Sequence, residues 1–447
     1  MSIDKTRETV IKILYDIDNK GAYSNISLSK HLESGNFKDI DRAFITEMVY
    51  GILKWRLTID FIISSFSKIR LKKVSSWILN ILRLGVYQLV FTDRIPVSAA
   101  CDESVKLAKR YGHVASSKYV NGVLRNISRN KNKIKYPNRK DNLVKFLSVS
   151  YSHPIWMVDN WLKRYGEEFT EELLKSNNET PSFTIRVNTL KISKTDLKKS
   201  LEEEGFEVDE GRYAKDALAI KNPKSLQKID AFTKGYFQVQ DESSMLVGRV
   251  LNPESGDVVL DVCSAPGGKS THLAQLMNNR GRIVARDIYK HKIKLINQAA
   301  KRLGINIIEA EVFDAGVLDE KLKDSMDKVL VDAPCTGLGI VRRKPDIKWA
   351  EKKEGKSEII KLQKKILSTS SKYVKKGGII VYSTCTIEPE ENQHVVEEFL
   401  KNNEEFSLED ISEDLPELVT EKRGFIQFYT NKHEIDGFFI AKMKKRS

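Results

Sequence analysis

Apolar residues recur at helical spacing through the first 130 or so residues, and the period then changes. Val10, Ile11, Leu14 and Ile17 form one stripe. Phe44, Ile45, Met48, Val49, Ile52 and Leu53 form a second, and Trp77, Ile78, Ile81, Leu82 and Leu84 a third. Such spacing marks one face of an α-helix. Pro96 and Ser98 punctuate before "AACDESVKLAKRYG", and "SKYVNGVLRNI" follows it. Residues 1–130 are therefore predicted to form an all-α domain with these stripes as its core. Residues 131–142 are polar and basic, without apolar periodicity, and are predicted to be a linker. In residues 143–230, "SFTIRVNTLK" reads as a strand, "TDLKKSLEEEG" as a helix ending at Gly205, and "FEVDEG" as another strand. That predicts a small α+β module.

From residue 231 to 447 short aliphatic runs alternate with helical ones. "DVVLDVC", "RIVARDI", "NIIEAEVF", "KVLVDAPC" and "GGIIVYSTC" are the strand candidates. "KSTHLAQLM", "HKIKLINQAAKRLG" and "SEIIKLQKKILSTSSKYV" lie between them. Aliphatic strands separated by helices predict an α/β domain with a mostly parallel sheet covered on both faces. Ligands of such sheets sit beyond the carboxyl ends of the strands, where the strand order reverses.

The chain of 447 residues is too long for a single core, which agrees with several domains. Its formal net charge is +14, and the first 140 residues hold 26 Lys/Arg against 12 Asp/Glu while the rest is balanced. A basic excess confined to one domain points to a polyanionic partner, most simply nucleic acid. Four cysteines, with no CxxC pair and no His cluster, give no expectation of a structural zinc site or a disulfide-built secreted fold. The most apolar stretch, Ile78 to Phe91, is interrupted by Arg83 and falls short of the roughly 20 residues needed to span a bilayer. A cytoplasmic protein without a membrane partner is expected, and nothing in the sequence requires more than a monomer.

"VVLDVCSAPGGKSTHLAQLM" (258–277) is a strand, a glycine-containing turn and a helix. Gly268-Lys269-Ser270 matches the end of a P-loop, but its first glycine would fall at Cys263, so the phosphate-binding motif fails. The dinucleotide pattern GxGxxG is absent as well. An adenosyl ligand without a pyrophosphate remains. Asp287 closes the next strand candidate, 26 residues after Asp261, near the spacing at which an acid grips ribose hydroxyls. Asp314 ends the third, within reach of an adenine amino group. Acids at three successive strand ends suit S-adenosylmethionine, whose sulfonium and amino group are cationic.

Cys335 and Cys385 end consecutive strand candidates, in "DAPCTGLG" and "STCT". If those strands are neighbours, both thiols face one cleft beside the methyl donor. Methylation of a pyrimidine at C5 asks for this arrangement. C5 is a poor nucleophile until a thiolate adds at C6, and a second thiol has a task when the adduct must be expelled. Asp332 is placed to bond the N3/N4 edge of cytosine. The base would have to be flipped or single-stranded. Spacing alone does not rank the two thiols.

With these residues the sequence resembles the RNA cytosine-5 methyltransferase family. "DVCSAPGGKSTHLA" is similar to its cofactor motif, "DAPCTGLG" to its Pro-Cys motif and "STCT" to its Thr-Cys motif, while "RVNTLK" and "FQVQDESSM" resemble further blocks. "DRAFITEMVYGILKW" and "KYVNGVLRNI" resemble the helical RNA-binding domain of the antitermination factor NusB. That appended domain points to the branch acting on small-subunit (16S) ribosomal RNA, free or in an early assembly intermediate. The resemblance implies a Rossmann-like methyltransferase domain, with Cys385 as the nucleophile, Cys335 assisting product release and Asp332 holding the base. It implies S-adenosylmethionine binding by Cys263, Ser264, Ala265, Pro266, Gly267, Gly268, Lys269, Asp287, Asp314 and Asp332, and no metal. Transfer RNA as substrate and a non-catalytic RNA-binding scaffold are the alternatives. The Thr-Cys motif disfavours a DNA methyltransferase.

Overall fold

A computed structural model describes residues 3–221, 229–350 and 353–446. The chain divides into two compact units, one running to Glu179 and including Val341–Ala350, the other made of Thr180–Ile340 and Glu351–Ser447. Among the described residues no helix is long and apolar enough to cross a membrane.

The first unit is helical. Its first helix, Lys5–Lys20, starts where the Asp4 side chain accepts from the Arg7 N–H and stops at Gly21, whose φ of 63° suits glycine. Val10, Ile11, Ile13 and Leu14 on this helix are buried, as are Ile45, Met48, Val49, Ile52 and Leu53 on Asp39–Lys54. Helix Ser76–Val90 is buried nearly all round, including Arg83. That arginine, an interruption in the apolar pattern, bonds Asp18 at 2.8 Å and both oxygens of Asp60 at 2.8 Å. Buried charge is tolerated when paired in this way.

Helices Leu143–Tyr151, Ile155–Tyr165 and Glu167–Ser176 belong to the same unit, so the expected boundary at 143 falls within it. After helix Val114–Asn130 and a single 3₁₀ turn at Lys131–Lys133, the basic segment lies on this unit: Arg139 pairs with Glu167 and Glu171. Val341–Ala350 joins the unit through side chains that reach backbone. Lys348, almost wholly buried, donates to the carbonyls of Lys54 (2.9 Å) and Ser152 (2.8 Å), and Trp349 Nε1 donates to Leu53 O at 2.7 Å. Ser24 Oγ donates to Asp346 at 2.5 Å.

The second unit contains two sheets. In the smaller, β1 (Phe183–Val187), β2 (Glu207–Glu210), β3 (Ala217–Lys221) and β4 (Phe237–Val239) pair antiparallel in the order β2-β3-β1-β4. Ile185, Val187, Leu218, Ile220 and Phe237 pack there with Leu197 and Leu201 of helix Lys194–Glu203.

The larger sheet contains β5 (Val258–Asp261), β6 (Arg282–Asp287), β7 (Ile308–Val312), β8 (Met326–Asp332), β9 (Val374–Thr384), β10 (Phe406–Leu408), β11 (Phe425–Phe428) and β12 (Phe438–Lys445). Its order is β10-β12-β9-β8-β5-β6-β7, with β11 on β12. β9, β8, β5, β6 and β7 run parallel, and β12 is antiparallel to β9. Side chains alternate between two apolar layers. Val259, Ile283, Leu330 and Val381 enter one, while Leu260, Val284, Val329, Val331 and Ile380 enter the other. Both faces are therefore covered, which is why these strands read as unbroken aliphatic runs. The chain runs outward from β5 through β6 to β7, then returns to place β8 on the other side of β5. The crevice beyond β5 and β8 is the switch point, where such sheets bind ligands.

Candidate active site

Adjacency of β8 and β9 brings the two cysteine segments together. Asp332 lies opposite Ser383 in the parallel register, and the Ala333 N–H donates to Ser383 O at 2.9 Å. Further on, the Gly339 N–H donates to Cys385 O at 3.0 Å. A Cβ at Gly339 would stand 1.9 Å from Gly437 O and 2.8 Å from Cys385 O, so this approach admits only glycine. Both cysteines are half-buried, and their Sγ atoms are 3.4 Å apart. The contact with Cys385, together with burial, pushes the Cys335 thiol well above its ordinary value. Two thiolates at this distance would repel, so Cys335 keeps its proton.

Asp332 is held from two sides. Lys269 Nζ donates to Oδ2 at 2.7 Å and Ser383 Oγ to Oδ1 at 2.9 Å. Burial alone would lower the Lys269 ammonium, but the Asp332 carboxylate outweighs it and the net shift is upward. The ammonium also lies 5.2 Å from the centre of the Phe438 ring.

Asp332 and the two cysteines border a cavity of about 420 Å³ at the switch point. Cys263, Ala265, Asp287, Asp314 and Asp332 line it together with Cys335 and Cys385. The remaining residues of the predicted cofactor set build the turn behind that lining. Ser264 donates from N (2.8 Å) and Oγ (3.0 Å) to Arg286 O, and the Ala265–Pro266 peptide is cis. Gly267 has φ of 100°, caps helix Gly268–Leu276, and lies so close to Ile296 that a Cβ would be 3.1 Å from its Cα. Gly268 is under no such constraint, since a Cβ there would meet only Gln240, at 4.0 Å. Its carbonyl instead accepts from Arg186 Nη1 of β1 at 2.8 Å. Arg186 is buried, which lowers its guanidinium to about 9, and it also donates to Gln240 and to Thr271 Oγ1 (3.1 Å).

Asp287 accepts from the Tyr289 N–H at 3.0 Å, and Asp314 from the Gly316 N–H at 2.8 Å, so both carboxylates are fixed by the turns that follow them. Sequence reasoning missed the apolar side of the cavity, formed by Tyr289, Phe313, Leu362 and Ile366. Arg286, the residue before Asp287, is a clamp. It bonds Glu311 and Asp319 at 2.6 Å each and stacks 4.0 Å from the centre of the Phe313 ring. It thereby holds an aromatic wall one residue from Asp314.

Asp261 ends β5 beneath the turn, wholly buried, with Oδ2 accepting from Ser270 Oγ at 2.7 Å. Burial raises its carboxyl from 3.8 to about 7, against the opposing effect of Ser270. The folded chain then holds a proton that the unfolded chain has lost across pH 4–7. The contribution of this group to stability accordingly falls as pH rises through that window, by on the order of 4 kcal/mol in all. Asp261→Asn is expected to flatten the decline, measured as the urea midpoint against pH. An unchanged slope would contradict it. Among the described residues no group of three or more His, Cys, Asp or Glu side chains could hold a metal ion.

Three family models match the chain. They are 16S rRNA methyltransferase RsmB/F over residues 248–444, the NusB family over 4–129, and the RsmF/B-like ferredoxin-like domain over 153–227. A probable ribosomal RNA small subunit methyltransferase B of Bacillus subtilis (strain 168) is 38% identical over 450 residues, covering 100% of both chains. One from Synechocystis sp. is 33% identical over 445 residues, 98% of this chain and 99% of its own. Among solved structures, NSun6 from Pyrococcus horikoshii with SFG superposes with a TM-score of 0.58 at 26% identity, covering 66% of this chain and 98% of that one. A methyltransferase homologue from the same organism gives 0.59 at 29% identity, covering 68% and 99%.

Proposed function

Since the chain belongs to the ribosomal RNA small subunit methyltransferase B family and is an S-adenosylmethionine-dependent ribosomal RNA methyltransferase, we propose that it methylates C5 of a cytosine in 16S ribosomal RNA through a covalent bond from Cys385. One observation carries this reading: two thiols 3.4 Å apart at the edge of a carboxylate-lined cavity.

The cavity fits the cofactor chemically. Asp287, Asp314 and Asp332 offer carboxylates to a ligand with a cationic sulfonium and amino group, ribose hydroxyls and an adenine, and Tyr289 and Phe313 offer aromatic surface. SFG, the ligand of the Pyrococcus horikoshii NSun6 structure, is an analogue of S-adenosylmethionine. Asp287 would hold the ribose, Asp314 the adenine amino group, and the backbone of Cys263 to Lys269 would cradle the remainder. When bound, the cofactor supplies an electrophilic methyl group.

The side chains do the rest. Cys385 adds to C6 of the cytosine, which makes C5 electron-rich. The partly buried Lys269 ammonium, paired with Asp332 and stabilised also by negative charge on the Cys385 sulfur, brings positive charge to the site. Asp332, fixed by Lys269 and Ser383, meets the N3/N4 edge of the base and stabilises positive charge there. After methylation C5 gives up its proton to water in the cleft, the C5–H electron pair restores the C5–C6 double bond, and the C6–S bond breaks with its electrons going to the Cys385 sulfur. The Cys335 thiol, in contact with the departing sulfur, donates to it and eases release. The target base must leave its stack to reach these groups.

The test is transfer of labelled methyl groups to 16S ribosomal RNA, transfer RNA and DNA, with the product nucleoside identified. 5-Methylcytidine in 16S RNA is expected. Label mainly in transfer RNA would shift the substrate, and label on another atom of the base would overturn the chemistry.

The basic helical unit supplies RNA affinity in this reading. Lys131, Lys133 and Lys135 are exposed on the segment that lies on it. Replacing all three with alanine should lower the slope of log affinity against log salt by about 2 to 3, at about 0.9 per duplex phosphate contact and 0.7 per single-strand one. An unchanged slope would place the RNA elsewhere.

A further inference from the structure

Each working cysteine is followed by a threonine, Cys335-Thr336 and Cys385-Thr386, and neither threonine has a task in the chemistry above. Their hydroxyls are 2.9 Å apart, and both meet the same buried carboxylate. Glu391 Oε2 accepts from the Thr336 N–H at 2.9 Å and from Gln363 Nε2 at 3.0 Å. Its Oε1 accepts from Thr336 Oγ1 at 2.6 Å and from Thr386 Oγ1 at 3.5 Å. Gln363 Nε2 also donates to Pro334 O at 2.9 Å, so the segment before Cys335 is tied to the same point.

Glu391 is itself anchored. Its carbonyl accepts from Tyr382 Oη of β9 at 2.7 Å, and its N–H donates to Glu388 O at 3.0 Å. The next residue, Asn392, completes the hold on the Cys385 side. It donates to Thr386 O at 3.0 Å and accepts from Thr384 Oγ1 at 2.6 Å. A carboxylate with no exposed surface is costly to bury, and here the donors of Thr336 and Gln363 offset that cost.

We propose that Glu391 is a positioning residue that holds the segments of Cys335 and Cys385 at fixed separation, and so governs the steps in which the two sulfurs act together. The role rests on the assignment of those cysteines as the working thiols. Glu391 is not part of the cavity lining and acts through the two threonines it contacts, without touching substrate.

The measurements are the multiple-turnover rate of methyl transfer with the lifetime of the protein–RNA adduct, cofactor affinity by calorimetry and the thermal midpoint, for Glu391→Ala, Glu391→Gln and Thr336→Val. A displacement of about 1 Å at a reacting group costs on the order of 100-fold in rate, and that loss is expected for Glu391→Ala, with cofactor affinity within about twofold of wild type. Glu391→Gln keeps one oxygen acceptor and should recover at least about tenfold of the loss. Thr336→Val should fall as well, and the double variant Glu391→Ala/Thr336→Val should be little worse than Glu391→Ala alone, since both remove one network. If Glu391→Ala fails to fold, the glutamine and valine variants carry the comparison. An unchanged rate in all three variants, or a rate falling in step with cofactor affinity and thermal midpoint, would overturn the role of Glu391. A wild-type chain that transfers methyl without any bond to Cys385 would instead overturn the proposed function.

Discussion

Cys385→Ala is expected to lower methyl transfer at least about 10⁴-fold, the scale on which removal of a covalent nucleophile acts. Cofactor affinity should change by no more than about twofold, because the carboxylates of Asp287 and Asp314 and the turn at Gly267 remain. The size of the loss follows from the chemistry: without a sulfur at C6, C5 of cytosine is too weak a nucleophile to accept a methyl group. Cys335 cannot replace it. It follows Asp332 by three residues on the neighbouring segment, and burial still raises its thiol when the contact with Cys385 has gone. The alanine variant should bind RNA and form no covalent product. Methyl transfer within about tenfold of wild type would remove Cys385 from the chemistry.

Cys335→Ala is expected to do the opposite to the covalent complex. Bond formation needs only Cys385, so the adduct should form, while its breakdown loses the group that donates to the leaving sulfur. A protein–RNA band should persist on a denaturing gel. Turnover should fall by about 10² to 10⁴, the range general acid catalysis supplies, after a first turnover that proceeds. The contrast between the two variants carries more information than either alone. A buried structural cysteine, replaced by alanine, would lower stability and activity together and trap nothing. Normal turnover in Cys335→Ala would show that release does not need the second thiol.

Much of this site was legible because of where it sits in the fold. Strands buried on both faces read as aliphatic runs, so their ends could be located, and with them Asp261, Asp287, Asp332 and Cys385. That β8 and β9 would be neighbours was an assumption, because strand order depends on a crossover of some forty residues. Phe313 and Tyr289 each lie one or two residues from a predicted acid, and that proximity was a usable signal. Leu362 and Ile366 had none, since they reach the cavity from a helix whose apolar stripe looks like ordinary core. Charged residues with distant partners were the hardest to read. Arg83, Arg286 and Lys348 look solvated in sequence, yet each is buried by groups 23 to 294 positions away. Glu391, in a run of acids, belongs with them.

The bond between Cys385 and the base is the centre of the account, and it can be seen directly. Cys335→Ala incubated with 16S ribosomal RNA and cofactor can be denatured, digested with nuclease and protease, and analysed by mass spectrometry. The account predicts one modified peptide, carrying a methylated cytidine on Cys385. A nucleotide on any other residue, or an adduct of equal yield from Cys385→Ala bearing it on Cys335, would contradict the account.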